Sequence, residues 1–326
     1  MIPAGRIRWL RTWVPLFLLS FLSLSCGIGG TDFAGGGTGG TGISTGAVSG
    51  FGSVVVNGVH YNTNAKTKKI SNGEDNSAMI DQDLFRVGMV VTVRYSPGNN
   101  DAQEIEFRNN LQGPISSISS WDNTFEILGL TVVVDNGALF ATLNRNDVVE
   151  VSGFVDNAGR VRAGYVSRAS RPVDEFEVKG FISGLSGNTF RLGLLPDGSG
   201  ATVAVSYGAA VVSGLPEGPV NGIYVQVNTT DREPVGGVIT ATRIVKLAAR
   251  TDFPVNVAVD LEGLVTAAPS GSGNVLSFAV EGKAVRTNDA TVFLGGKGTD
   301  IQPNVRVQVR GTEAGGVLSA VNIIFR

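Results

Sequence analysis

Among 326 residues there is one cysteine, Cys26, and one histidine, His60. A single thiol cannot close a disulfide within the chain, and one imidazole falls short of the His/Cys set of a structural zinc site. A Ser-His-Asp triad is open only through His60, and no G-x-S-x-G nucleophile elbow occurs. His60, in NGVHYNT, is therefore expected as an exposed or partly packed strand residue. Charge is scarce as well: 17 % of residues are Asp, Glu, Lys or Arg, and the one basic run beyond the N-terminus is KTKK, Lys66 to Lys69. Nucleic-acid binding draws its affinity from clustered Lys and Arg, so nucleic acid is not an expected partner. The oxygen-rich stretches DNGA (135–138), DNAGR (156–160) and PDGSG (196–200) lack the calcium-loop pattern and read as turns. The acid pairs in EDN (74–76), DQD (81–83) and EIE (104–106) read as solvated faces rather than as a glycosidase pair. The expectation is a non-enzyme with no metal and no cofactor.

What the chain has is glycine, 45 of them, with 42 % hydrophobic residues rich in Val and set among Thr and Gly. That mixture suits half-buried strands joined by tight turns, so the fold class expected is all-β. Residues 1–25 carry Arg6, Arg8 and Arg11, then an apolar run from Trp13 to Leu24, the layout of a secretory signal. The run is shorter than the roughly 18–20 apolar residues a spanning helix needs. Removing this segment takes three of the 26 basic residues and no acid, which leaves 23 against 28 and a mildly acidic surface.

Leu22-Ser23-Leu24-Ser25-Cys26 resembles the lipobox of bacterial lipoproteins, with Ser23 where that family prefers leucine. The resemblance implies lipidation of Cys26, cleavage before it, and a membrane contact made through acyl chains at about 0.8 kcal/mol per buried CH₂. Gly27 stands where an aspartate would favour retention at the inner membrane in enterobacterial relatives, which points to the outer membrane. The stretch that follows, GIGGTDFAGGGTGGTGISTG, reads as a flexible tether over 26–45.

Beyond the tether one pattern recurs: Gly, three residues, Ala, two residues, Ile or Val. Its copies are GNNDAQEI (Gly98), GRVRAGYV (Gly159), GVITATRI (Gly237) and GVLSAVNI (Gly316). Each follows a strand of alternating polarity, MVVTVRY, VVEVSGF, YVQVNT or VRVQVRG, so each copy closes on a β-hairpin. Each copy also opens on a Gly-led strand, at Gly46, Gly113, Gly180 or Gly263, and holds a two-strand meander between. Ala and the Ile or Val three places on fall on opposite faces of a regular strand, so a β-bulge or a barrel corner is expected between them.

TGAVSGFGSVVVNGVHYNT followed by FRVGMVVTV resembles the bacterial family known as domain of unknown function 5666 (DUF5666), and weaker copies run to Arg326. The resemblance implies small OB-like β-barrels in tandem, in Gly-tethered lipoproteins, with no activity attached. Four modules are expected, at 46–108, 109–170, 175–248 and 257–326. The function expected is a lipid-anchored cell-envelope scaffold, with binding of an extracellular glycan or other ligand as the alternative. Trp121, in SSWDNTF, and Tyr61 are the candidate ligand surface, while Phe125, Tyr165 and Phe190 are expected mostly in cores.

Overall fold

A computed structural model describes residues 41–169 and 173–326. The signal segment, Cys26 and the tether up to residue 40 lie outside the described residues. The chain is all-β, and four modules repeat one strand order. Module I runs β1 (Gly42–Gly50), β2 (Val54–Val56), β3 (Val59–Tyr61), β4 (Lys68–Ser71), β5 (Glu74–Asp75), the short helix α1 (Asp81–Leu84), β6 (Val90–Ser96) and β7 (Asp101–Phe107). Module II has β8 (Leu111–Ser119), β9 (Thr124–Ile127), β10 (Leu130–Val133), the helix α2 (Gly137–Phe140), β11 (Val148–Val155) and β12 (Val161–Arg168). Module III has β13 (Phe176–Ser186), β14 (Thr189–Gly193), β15 (Thr202–Ser206), β16 (Val211–Ser213), β17 (Tyr224–Thr229) and β18 (Val238–Lys246). Module IV has β19 (Ala258–Ser272), β20 (Val275–Val280), β21 (Lys283–Arg286), β22 (Val292–Leu294), β23 (Arg306–Ala314) and β24 (Val317–Phe325).

In module IV the long first strand β19 pairs β23 through its first half and β20 through its second. β20 pairs β21, β21 lies parallel to the closing strand β24, and β24 returns to β23. Modules II and III repeat this circuit, with parallel pairs β10–β12 and β15–β18. In module I the parallel step is the single bridge Asn62–Asp101.

The modules do not stand apart as a string of separate barrels. β1 lies parallel to β19, Ile43 opposite Val259, and β8 pairs antiparallel with β13, Leu111 opposite Val178. Modules I and IV thereby share a sheet of 13 strands, and modules II and III one of 11. One hydrophobic core spans modules II and III, and Val90, Phe154 and Leu264 from three modules meet in a small cluster. The tether expected to reach residue 45 gives way at Gly42, because Ile43 packs in the core of module IV and its backbone bonds to neighbours on both sides.

The bulge read from the Ala-x-x-Ile spacing is present in every copy. The register slips by one residue between Ala102 and Glu104, Ala163 and Tyr165, Ala241 and Arg243, and Ala320 and Asn322. The extra residue turns Ala and Ile to one side, so Ala102, Ile105, Ala241, Ile244, Ala320 and Ile323 are all buried. Three meanders close on two-residue turns with both φ values positive, Asn57-Gly58, Leu128-Gly129 and Glu281-Gly282, the geometry that matches strand twist in a hairpin.

Candidate functional site

Trp121 stands at the tip of the β8–β9 hairpin, 94 % exposed. The turn beneath it is fixed by Asp122, whose Oδ1 accepts the Thr124 hydroxyl at 2.9 Å. Hydroxyls of Ser119 and Thr124 hold the Asp122 carboxyl below the usual carboxylate range. Tyr61 does not share this surface: it is 1 % exposed, and its ring centroid is 5.0 Å from that of Tyr95 in the module I core. Period-two alternation in β3 puts Tyr61 inward and the neighbouring His60 outward. Burial pushes the Tyr61 hydroxyl's pKa up. Phe125 and Phe190 are buried, and Tyr165 is half-buried, edge-on to Phe107.

His60 is exposed, with Nδ1 2.9 Å from Ser53 Oγ. Among the described residues no acid hydrogen-bonds this ring, and no three His, Cys, Asp or Glu side chains gather as a metal site. Two of the Asp-rich stretches are turns: Asp156 Oδ1 accepts from the amides of Ala158 and Arg160, and Asp197 Oδ1 accepts from that of Ser199. The third, DNGA, opens α2 instead, with Asn136 Oδ1 accepting the Leu139 amide as the helix cap.

Residues that composition and spacing did not single out lie where the modules meet. A cavity of about 40 Å³ is lined by Thr45, Asn110, Tyr224, Arg250, Glu262 and Glu281, drawn from all four modules and the 248–257 segment. That space has room for a few water molecules. Both carboxylate oxygens of Glu281 accept the Val155 amide at 3.1 Å, and Oε1 accepts that of Leu264 at 3.1 Å. Burial pushes the Glu281 carboxyl up to about 7 against the pull of Arg250. Arg250 Nη2 donates to the Gly153 carbonyl at 3.2 Å, while its Nη1 is buried without a hydrogen-bond partner. The signal for Glu281 was local: Glu-Gly occupies the turn where module I has Asn-Gly, and glutamate is a poor choice for φ of 51°.

The seam between modules I and IV is also polar. Asp260 accepts Gln308 Nε2 at 2.6 and 2.8 Å and Arg310 Nε at 3.0 Å, and burial still raises its carboxyl to about 6. Asn57 Nδ2 reaches across to the Asp260 carbonyl at 3.1 Å. Glu262 accepts the Ala47 amide and Arg306 Nε, both at 3.1 Å, while the Arg306 guanidinium covers the Phe154 ring of module II at 4.8 Å. These groups hold modules to one another.

No curated protein matches the chain. The family described as Domain of unknown function (DUF5666) matches at residues 43–106, 112–167 and 262–324, which are modules I, II and IV. Module III is outside these matches although it has the same strand order; its 194–200 insertion, LLPDGSG, reaches Ala158 of module II through Ala201 N. With more than half of its length matched, the chain belongs to the DUF5666 family.

Proposed function

We propose that the protein is a non-catalytic scaffold of the cell envelope, anchored through lipid on Cys26, whose four modules act as one body. The observation that carries this reading is the pairing of first strands between modules, β1 with β19 and β8 with β13, which joins I to IV and II to III by backbone hydrogen bonds, while Glu281 of module IV accepts the Val155 amide of module II and links the two pairs. Buried polar groups add to it, since Asn57 bonds across to Asp260 of module IV just as Glu281 reaches module II. Within each module the circuit of pairings returns to the first strand, and this supports an OB-like barrel as the unit. The lipobox resemblance supports the anchor, and Gly27 after the cysteine supports the outer membrane.

The test is fractionation of cells making the full chain or its Cys26→Ala variant, followed by protease treatment of intact cells. Membrane association is expected for the native chain and loss of it for Cys26→Ala; equal partition of both forms overturns the anchor. Degradation of residues 47–326 in intact cells places the modules outside, and protection until the outer membrane is opened places them in the periplasm. Trp121 favours a second reading, stacking on a glycan, because a ring 94 % exposed on a fixed turn is ready for such a contact. Among the described residues the matching β1–β2, β13–β14 and β19–β20 tips carry no exposed aromatic, so a repeated aromatic row does not support it.

A further inference from the structure

Lys179 is 1 % exposed, on a strand at the junction of modules II and III. Its Nζ donates to Asn109 Oδ1 at 2.5 Å and to Glu177 Oε1 at 2.6 Å. Asn109, also 1 % exposed, donates through Nδ2 to Glu150 Oε1 at 3.0 Å, and Glu150 Oε1 takes a second donor, Asn72 Nδ2, at 2.6 Å. An ammonium on the amide oxygen and a carboxylate on the amide nitrogen fix which end of Asn109 is which. The position before the first strand's glycine is Thr45, Gln112 and Glu262 in the other modules, so this amine is no part of the shared module pattern.

We propose that Lys179 and Asn109 react to form an intramolecular isopeptide bond that covalently joins module II to module III. Burial lowers the pKa of the Lys179 amine and Arg108 acts in the same direction, while Glu177 and Glu150 oppose; the nucleophile the step needs is the unprotonated amine. The ammonium first gives a proton to Glu177. Rotation of the Asn109 amide about its Cβ–Cγ bond turns its face to Nζ, whose lone pair attacks Cγ while the C=O electron pair moves onto Oδ1. A second proton leaves Nζ and reaches Nδ2 through Glu150, which already holds that nitrogen. The tetrahedral centre collapses, the Cγ–Nδ2 bond breaks, and ammonia departs with the proton held by Glu177. Lysine ammonium and asparagine amide become a secondary amide and ammonium, with no oxidant or other co-reactant. Proximity supplies much of the rate, since both groups are held in contact by the fold.

The test is peptide mapping of the full chain after incubation in the folded state at neutral pH. A branched peptide is expected that joins the Asn109 and Lys179 segments, lighter by about 17 Da than the two together, with trypsin unable to cut after Lys179. Fragmentation must read the branch itself, because Asn136-Gly137, in the same tryptic peptide as Asn109, can lose ammonia by cyclising on its own backbone. Recovery of both segments unlinked, with cleavage after Lys179, overturns the proposal. Lys179→Met is expected to abolish the branch; if that variant fails to fold, the map of the native chain still decides. Glu177→Gln is expected to slow linkage by about a hundredfold, the contribution of a positioned base. Linkage of Glu177→Gln at the native rate overturns the assignment of Glu177 as proton acceptor.

Discussion

Single residues at the seams carry the protein's response to pH. Glu281 and Asp260 both have carboxyls raised by burial, to about 7 and about 6. A raised carboxyl binds its proton more tightly in the folded state, so its contribution is complete below the ordinary carboxylate range and is lost as pH climbs to the folded value. Stability is expected to fall between about pH 4 and 7, and Glu281→Gln to flatten the upper part of that fall, by on the order of 2 kcal/mol. Urea midpoints of both forms across this range test it; parallel curves would show that Glu281 does not titrate there. The odd Glu-Gly turn was legible in the sequence, but its titration was not, because desolvation of a glutamate depends on which module packs over it. His60 was expected exposed or partly packed for want of catalytic or metal partners, and Tyr61 was expected on a ligand surface; alternation along β3 leaves open which of its faces is covered. The structure turns the tyrosine in. Lys179 had a faint sequence signal, a Glu-x-Lys pair inside the apolar start of a strand, but its partner Asn109 is 70 positions away and comes to it only through folding.

Elements were more legible than residues. The Ala-x-x-Ile spacing is a local steric statement that called for a bulge or a barrel corner, and the structure has a bulge at that position in all four closing strands. The hidden part was what lies against each bulge. In module II the extra residue is Gly164, and its backbone meets Gly88 of module I so closely that a Cβ on Gly88 would sit 1.9 Å from the Gly164 carbonyl oxygen. Gly88 also has φ of 90°, which side chains rarely adopt. Gly88→Ala is expected to cost about 2–4 kcal/mol by clash and backbone strain together. An unchanged denaturation midpoint would mean that modules I and II do not touch there.

For the whole molecule, repeat spacing is local to each module, whereas the fusion of modules depends on pairings between strands far apart in sequence. Nothing in the local pattern of GIST, residues 42–45, distinguishes a tether from a strand until residues 259–261 are beside it. The same dependence makes a prediction about domains. A chain ending at Asn256 lacks β19, so it takes from one edge of β1, the Ile43 side chain and the Asn57 amide the partners that module IV supplies. Limited proteolysis of that chain is expected to destroy residues 41–108 while modules II and III, which share a core, resist; a protected module I would show that it stands alone. The β1–β19 pair has a consequence for synthesis as well. Glu262, which caps the Ala47 amide, emerges 215 positions later, and at ribosomal speeds of about 5–20 residues per second the first module waits roughly 10–40 s for the strand that completes it. During that interval β1 is an open edge on a nascent chain, so whatever receives the chain must shield its beginning until its end has been made.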